Sequence, residues 1–204
     1  MHHIIMLKKW NPLVNSHLTS YHKYYNSCDP EIKFEIDEIA DKLIPDGYTR
    51  VKAMDELYIT AKDANGSDLV FETPHIDGPF GFLPFKLLRC VFAVSGSNAI
   101  ETCFKDNDDI ILKDSEHLMF DYNRDLHYIR KIKVMENDRI VIKLHFVRKQ
   151  AFYRVFALLN IVWNSFARFI FNKSKNPHTI IENILAYVIN STTYYYPKLF
   201  KTFI

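Results

Sequence analysis

Residues 75–77, His-Ile-Asp, set an imidazole and a carboxylate two positions apart. On an extended chain such residues project to the same side. Both groups bind metal ions once deprotonated. The triplet is weak alone, because nine His and fifteen Asp in 204 residues give about 0.7 His-x-Asp triplets by chance. Two ligands also hold a metal poorly, so a third must come from elsewhere. His117, His127 and His145 follow downstream. His127 stands where an expected strand, 118–120, runs through a polar turn, so like His75 it falls at a strand edge.

The elements that must position these residues read as short strands. Segments 57–61 and 69–72 flank Asp63-Ala64-Asn65-Gly66-Ser67, a turn signal that predicts a hairpin running into His75. Further strands are expected at 87–94, 100–104, 110–112, 117–120, 128–134 and 139–147, separated by Asp, Asn and Glu clusters. This spacing suggests an all-β sandwich or barrel. Before it, Asp29-Pro30 opens a helix over about 30–44. Its apolar face is expected to hold Ile32, Phe34, Ile36, Ile39, Leu43 and Ile44, with Glu31, Glu35, Asp37, Glu38 and Asp41 toward water. Residues 1–28 show no clear period.

The order of features resembles the iron(II)- and 2-oxoglutarate-dependent oxygenases, in particular the prolyl hydroxylase-like and aspartyl hydroxylase-like branches. The residues that carry the resemblance are His75-Ile76-Asp77, Leu88-Arg89-Cys90-Val91-Phe92, Ile100-Glu101-Thr102-Cys103-Phe104, His117-Leu118-Met119-Phe120-Asp121, Leu126-His127-Tyr128-Ile129 and the run from Asp138-Arg139 to His145-Phe146. They span about residues 55–147. The resemblance implies a mainly β fold, a double-stranded β-helix (jelly roll) with a flanking N-terminal helix and C-terminal helices. It implies His75, Asp77 and His127 as iron(II) ligands. Two histidines and a carboxylate on one face of a metal leave three positions open. By resemblance these take 2-oxoglutarate as cosubstrate and dioxygen, and the outcome is hydroxylation. The distal carboxylate of 2-oxoglutarate needs a fixed cation, and a guanidinium suits it by charge and geometry. Arg139 is the first choice, with Lys143 and Arg89 as alternatives. His117 and His145 read as structural or solvent-facing.

Charge divides the chain. Residues 1–138 hold 16 Lys/Arg against 23 Asp/Glu, whereas 139–204 hold 10 Lys/Arg and the single acid Glu182. This suggests a body over 1–150 and a basic helical appendage over 151–204. Residues 151–171 read as an amphipathic helix whose polar positions, Arg154, Asn160, Asn164, Ser165 and Arg168, share one arc. A second helix is expected at about 179–189. The appendage is expected to pack on the body or form a homodimer, or else to touch a membrane peripherally; two Arg and two Asn make spanning costly. The loop 78–85 (GPFGFLPF) is either an aromatic lip over a substrate mouth or a plug under the rim. The three cysteines, Cys28, Cys90 and Cys103, show no paired spacing, which suggests a reducing compartment. With no apolar leader read at the N-terminus, a cytoplasmic location is expected, with peripheral membrane contact as its variant. A nucleic-acid partner is not expected; the substrate, a protein side chain or a small molecule, is unidentified. Two rival functions are a non-catalytic metal-binding jelly roll and a membrane-associated interaction protein acting through the C-terminal helices.

Overall fold

The computed structural model describes residues 20–64, 75–105 and 108–174. The expected strand at 69–72 with the tip of its turn, the second helix at 179–189 and the basic, aromatic tail lie outside them.

Among the described residues the fold is mainly β, with two antiparallel sheets and two long helices. The strands are β1 (Ser20–Tyr24), β2 (Tyr48–Arg50), β3 (Glu56–Thr60), β4 (Leu88–Ser95), β5 (Ile100–Phe104), β6 (Ile110–Ile111), β7 (His117–Asp121), β8 (His127–Lys131) and β9 (Arg139–Arg148). The larger sheet runs β1-β3-β9-β4-β7, with β2 also on β9; the smaller runs β6-β5-β8. β9 is central because both its faces are needed. Ile140, Ile142, Leu144 and Phe146 join a core with Leu57, Ile59, Cys90 and Phe92, and its alternate residues face the other way. β1 escapes a sequence reading for a physical reason. It is an edge strand half-buried on both faces, so no alternation marks it.

Helix α1 (Pro30–Leu43) covers the outer face of the larger sheet. Its buried residues are Ile32, Glu35, Ile36, Ile39 and Ala40, the i, i+3, i+4, i+7 stripe of a helix. The expected face is therefore corrected at two positions. Phe34 projects into solvent at 61 % exposure, and Glu35 turns inward. Fully burying a side chain such as Ile36 contributes roughly 1.5–3 kcal/mol.

Helix α2 (Ala151–Ser174) docks on the body through Phe156 and Ala157, which pack with Val51, Met54, Leu87, Tyr122 and Val147. Its polar residues are the surprise. Asn160 and Asn164 are buried, while much of its apolar side is exposed. Tyr122 Oη donates to Asn164 Oδ1 at 3.2 Å, and Asn164 Nδ2 donates to Glu56 Oε1 at 3.3 Å.

A glycine fixes how β4 leaves the sheet. Gly96 has φ +66°, and a Cβ there would fall 2.6 Å from the Asp138 carbonyl oxygen, just before Arg139. Ser95 Oγ donates to that carbonyl at 3.1 Å. Gly96→Ala is expected to destabilise the fold by about 1–3 kcal/mol in urea unfolding. An unchanged midpoint would contradict this close approach.

Candidate metal centre

Alternation places polar residues on an inward face. On β9, Arg139, Lys143 and His145 lie opposite the face that packs on α1. β3 presents Glu56, Tyr58 and Thr60 beside them, and β4 presents Arg89 and Val91. The smaller sheet supplies Thr102, His127 and Ile129. Between the sheets lies a pocket of about 510 Å³, its mouth included.

His75 and His127 meet across a backbone bridge. The His75 N–H donates to the His127 carbonyl at 2.9 Å, and the His127 N–H donates back at 3.0 Å. Directly paired antiparallel residues project to the same side, and the two rings lie 4.6 Å apart. Asp77, two residues after His75, reaches the same point. Its Oδ1 is 3.7 Å from His75 Nε2, and its Oδ2 is 3.5 Å from His127 Nε2. One ligating atom from each residue lies within 4.8 Å of the others. Ligands on one face of an octahedron with bonds of ~2.1 Å stand about 3 Å apart, so a modest contraction would close the set on an ion.

The protonation states suit a ligand set. His127 Nδ1 lies 3.0 Å from the Asp125 carbonyl, so this nitrogen carries the proton and Nε2 keeps its lone pair. Burial pushes the His127 pKa down to about 4 against the opposing charge of Asp77. The ring is thus neutral near pH 7. Burial alone would raise the Asp77 carboxyl; Arg89 first, then the two histidines, hold it well below the usual carboxylate range. Arg89 Nη1 stands 2.7 Å from Asp77 Oδ2 as an ion pair. The contact lies off the line of a hydrogen bond, and this oxygen accepts none among the described residues.

Arg89 is itself held. Its Nε donates to His145 Nε2 at 3.0 Å, and its guanidinium lies over the Tyr122 ring at 4.6 Å. His145 Nδ1 is 3.2 Å from Asp55 Oδ1, which also accepts the His145 backbone N–H at 2.8 Å. Asp55 pairs with Arg50, and Arg50 with the half-buried Asp37. Asp77 is the inner end of this line of alternating charge. His145 is structural, as expected, and His117 is exposed on β7.

The three candidate cations differ in their partners. Arg89 is engaged by Asp77. Lys143 Nζ lies 3.9 Å from Glu56 Oε2 and 5.4 Å from the Tyr58 ring centre. Arg139 is buried in the pocket wall, and no carboxylate among the described residues pairs with it. Its Nε has no hydrogen-bond partner among the described residues. Burial pushes its pKa down to about 10, which leaves it charged at neutral pH. Thr60 stands directly opposite on β3, and its buried Oγ1 also lacks a partner among the described residues. Unsatisfied buried donors of this kind await a ligand or water. The sequence reading passed over Thr60; its one signal was the polar alternation Glu56, Tyr58, Thr60.

The loop after Asp77 is a brace. Gly78 N–H donates to the Tyr122 carbonyl at 3.0 Å, and a Cβ on Gly78 would meet Asn123 Oδ1 at 2.3 Å. Phe80, Leu83 and Phe85 pack on the cluster that seats α2. None of these residues lines the pocket. This fits the plug rather than the lip, although Phe82 projects outward. The loop and the Asp121–Asp125 turn thus lock together, and that turn delivers His127. Trp163 of α2 donates from Nε1 to the Asp77 carbonyl at 3.3 Å, a contact no sequence pattern signals. Glu101, Cys103 and Asp109 form another compact group, but Arg130 already pairs with both carboxylates.

Asp77→Asn and His127→Ala are each expected to weaken iron(II) or cobalt(II) binding by more than 100-fold in anaerobic titration. Arg89→Ala, which removes a partner of a ligand, should cost about 10–100-fold. Full affinity in His127→Ala would remove it from the ligand set.

No family model matches the chain, and no curated protein matches it significantly.

Proposed function

We propose that this chain is an iron(II)- and 2-oxoglutarate-dependent oxygenase that hydroxylates its substrate, on a jelly-roll core. The observation that carries the reading is a buried guanidinium, Arg139, with no carboxylate partner among the described residues, in the wall of the pocket that holds two histidines and an aspartate. A metal site alone needs no such cation. A metal site that also binds a dicarboxylate does.

Strand order supports the core. Count β3 as first, the segment at His75 as second, and β4 to β9 as third to eighth. The larger sheet then runs 1-8-3-6, and the smaller runs 2-7-4-5. First pairs with eighth, second with seventh, third with sixth and fourth with fifth, the pattern of one long hairpin rolled into two sheets.

The donor set fits iron(II). Two neutral imidazole nitrogens and one charged carboxylate suit a ferrous ion and leave open positions. When bound there, iron(II) couples the oxidation of 2-oxoglutarate by dioxygen, to succinate and carbon dioxide, with hydroxylation of the substrate. The protein's own residues do the holding. Arg139 binds the distal carboxylate. Val91, Phe120 and Ile129 wall the pocket with apolar surface and limit water. The Asp125 carbonyl fixes the His127 tautomer, and Arg89 keeps Asp77 charged and in place.

Incubation with iron(II), ascorbate, 2-oxoglutarate and air is expected to release succinate even without the substrate. Arg139→Gln should raise the 2-oxoglutarate concentration for half-maximal turnover by at least ~30-fold, because a buried charge pair loses one member. Its iron affinity should stay within about twofold. Folded, iron-loaded protein that forms no succinate would instead favour metal binding without oxygenase activity.

A further inference from the structure

We infer that the outward face of α2 docks on an anionic membrane surface, with the helix lying flat on it. The helix is amphipathic in an inverted sense. Its buried side carries Asn160 and Asn164, and its solvent side carries Phe152, Val155, Leu158, Val162, Phe166 and Phe169. Phe152 is 76 % exposed and Val155 and Val162 are each 62 % exposed, too open for residues that merely flank a core. At 100° per residue these six fall within about a third of the circumference, forming one stripe along a helix about 36 Å long.

Charge selects the occupant. Arg148, Lys149 and Arg154 are exposed beside the stripe, and no acid occurs between Asp138 and Glu182. A second copy packed parallel on the same face would set these cations against their own counterparts. An apolar stripe bordered by these cations matches the boundary between headgroups and acyl chains of an anionic leaflet. Spanning is a different matter. Among the described residues no helix is long and apolar enough to cross a membrane. The inward side is also pinned to the body by Asn164 and by the Trp163 contact to the Asp77 carbonyl. Docking therefore brings the membrane to the helix that braces the candidate metal centre.

Flotation of the full chain with phosphatidylcholine vesicles, with and without 30 mol% phosphatidylserine, tests this without reference to iron. The chain is expected to float with the anionic vesicles, at least tenfold more strongly than with the neutral ones, and to be released by high salt. The double variant Val155→Glu/Val162→Glu should lose at least tenfold of this binding, with an unchanged circular dichroism spectrum and iron affinity. Lys149→Glu/Arg154→Glu should reduce the preference for phosphatidylserine and leave the fold intact. Failure of the wild-type chain to float would overturn the inference. So would equal flotation of the wild type and the Val155→Glu/Val162→Glu variant. Sedimentation velocity showing a dimer that this variant dissociates, without vesicle binding, would assign the face to a second copy.

Discussion

The contact between Arg89 and Asp77 is the constraint on which the rest depends. A carboxylate at this depth would ordinarily take up a proton, and a neutral Asp77 would be a poor partner for a divalent ion. Arg89, at 2.7 Å, keeps it charged. A buried ion pair is costly to desolvate, however, and further polar contacts offset part of that cost. Hence the line that continues through His145, Asp55 and Arg50 to Asp37, which shares the burden among several partners and ends near solvent. Much of the inner polar face exists to keep one aspartate ionised and fixed.

The same constraint explains why β9 is the central strand. It carries His145 in that line, Arg139 in the pocket wall, and the apolar residues that seat α1. Its partners β3 and β4 then place Thr60 opposite Arg139 and Arg89 opposite His145. The small sheet needs little more than to hold His127 in register with His75. The Gly78 brace and α2 close the structure behind Asp77.

Much of this was legible before any coordinates. The strands from 87 onward and both helices lie close to their expected places, because turn clusters and periodicity mark them well. His75, Asp77, His127 and Arg139 come to one pocket as the spacing and the resemblance suggested. What escaped the reading shares a cause. Alternation says that residues lie on two faces, but not which face meets water. In β9 and β3 the polar face points inward, so the Asp55–His145 pair that holds Arg89 carried no signal in the sequence. In α2 the inversion is partial: Asn160 and Asn164 of the polar arc are buried beside Phe156 and Ala157, while Arg154 and Ser165 of the same arc stay exposed. Glu35 and Phe34 exchanged places in α1 for a simpler reason, since the inward stripe follows geometry even where one of its members is charged.

If the proposed function holds, one pocket binds the metal and an anionic cosubstrate together. Anaerobic addition of 2-oxoglutarate to the iron(II)-loaded protein, followed by visible absorption, tests it most directly. The account predicts a metal-to-ligand charge-transfer band that saturates at one equivalent and weakens sharply in Arg139→Gln. Folded, iron-loaded protein that shows no band at saturating 2-oxoglutarate would contradict it.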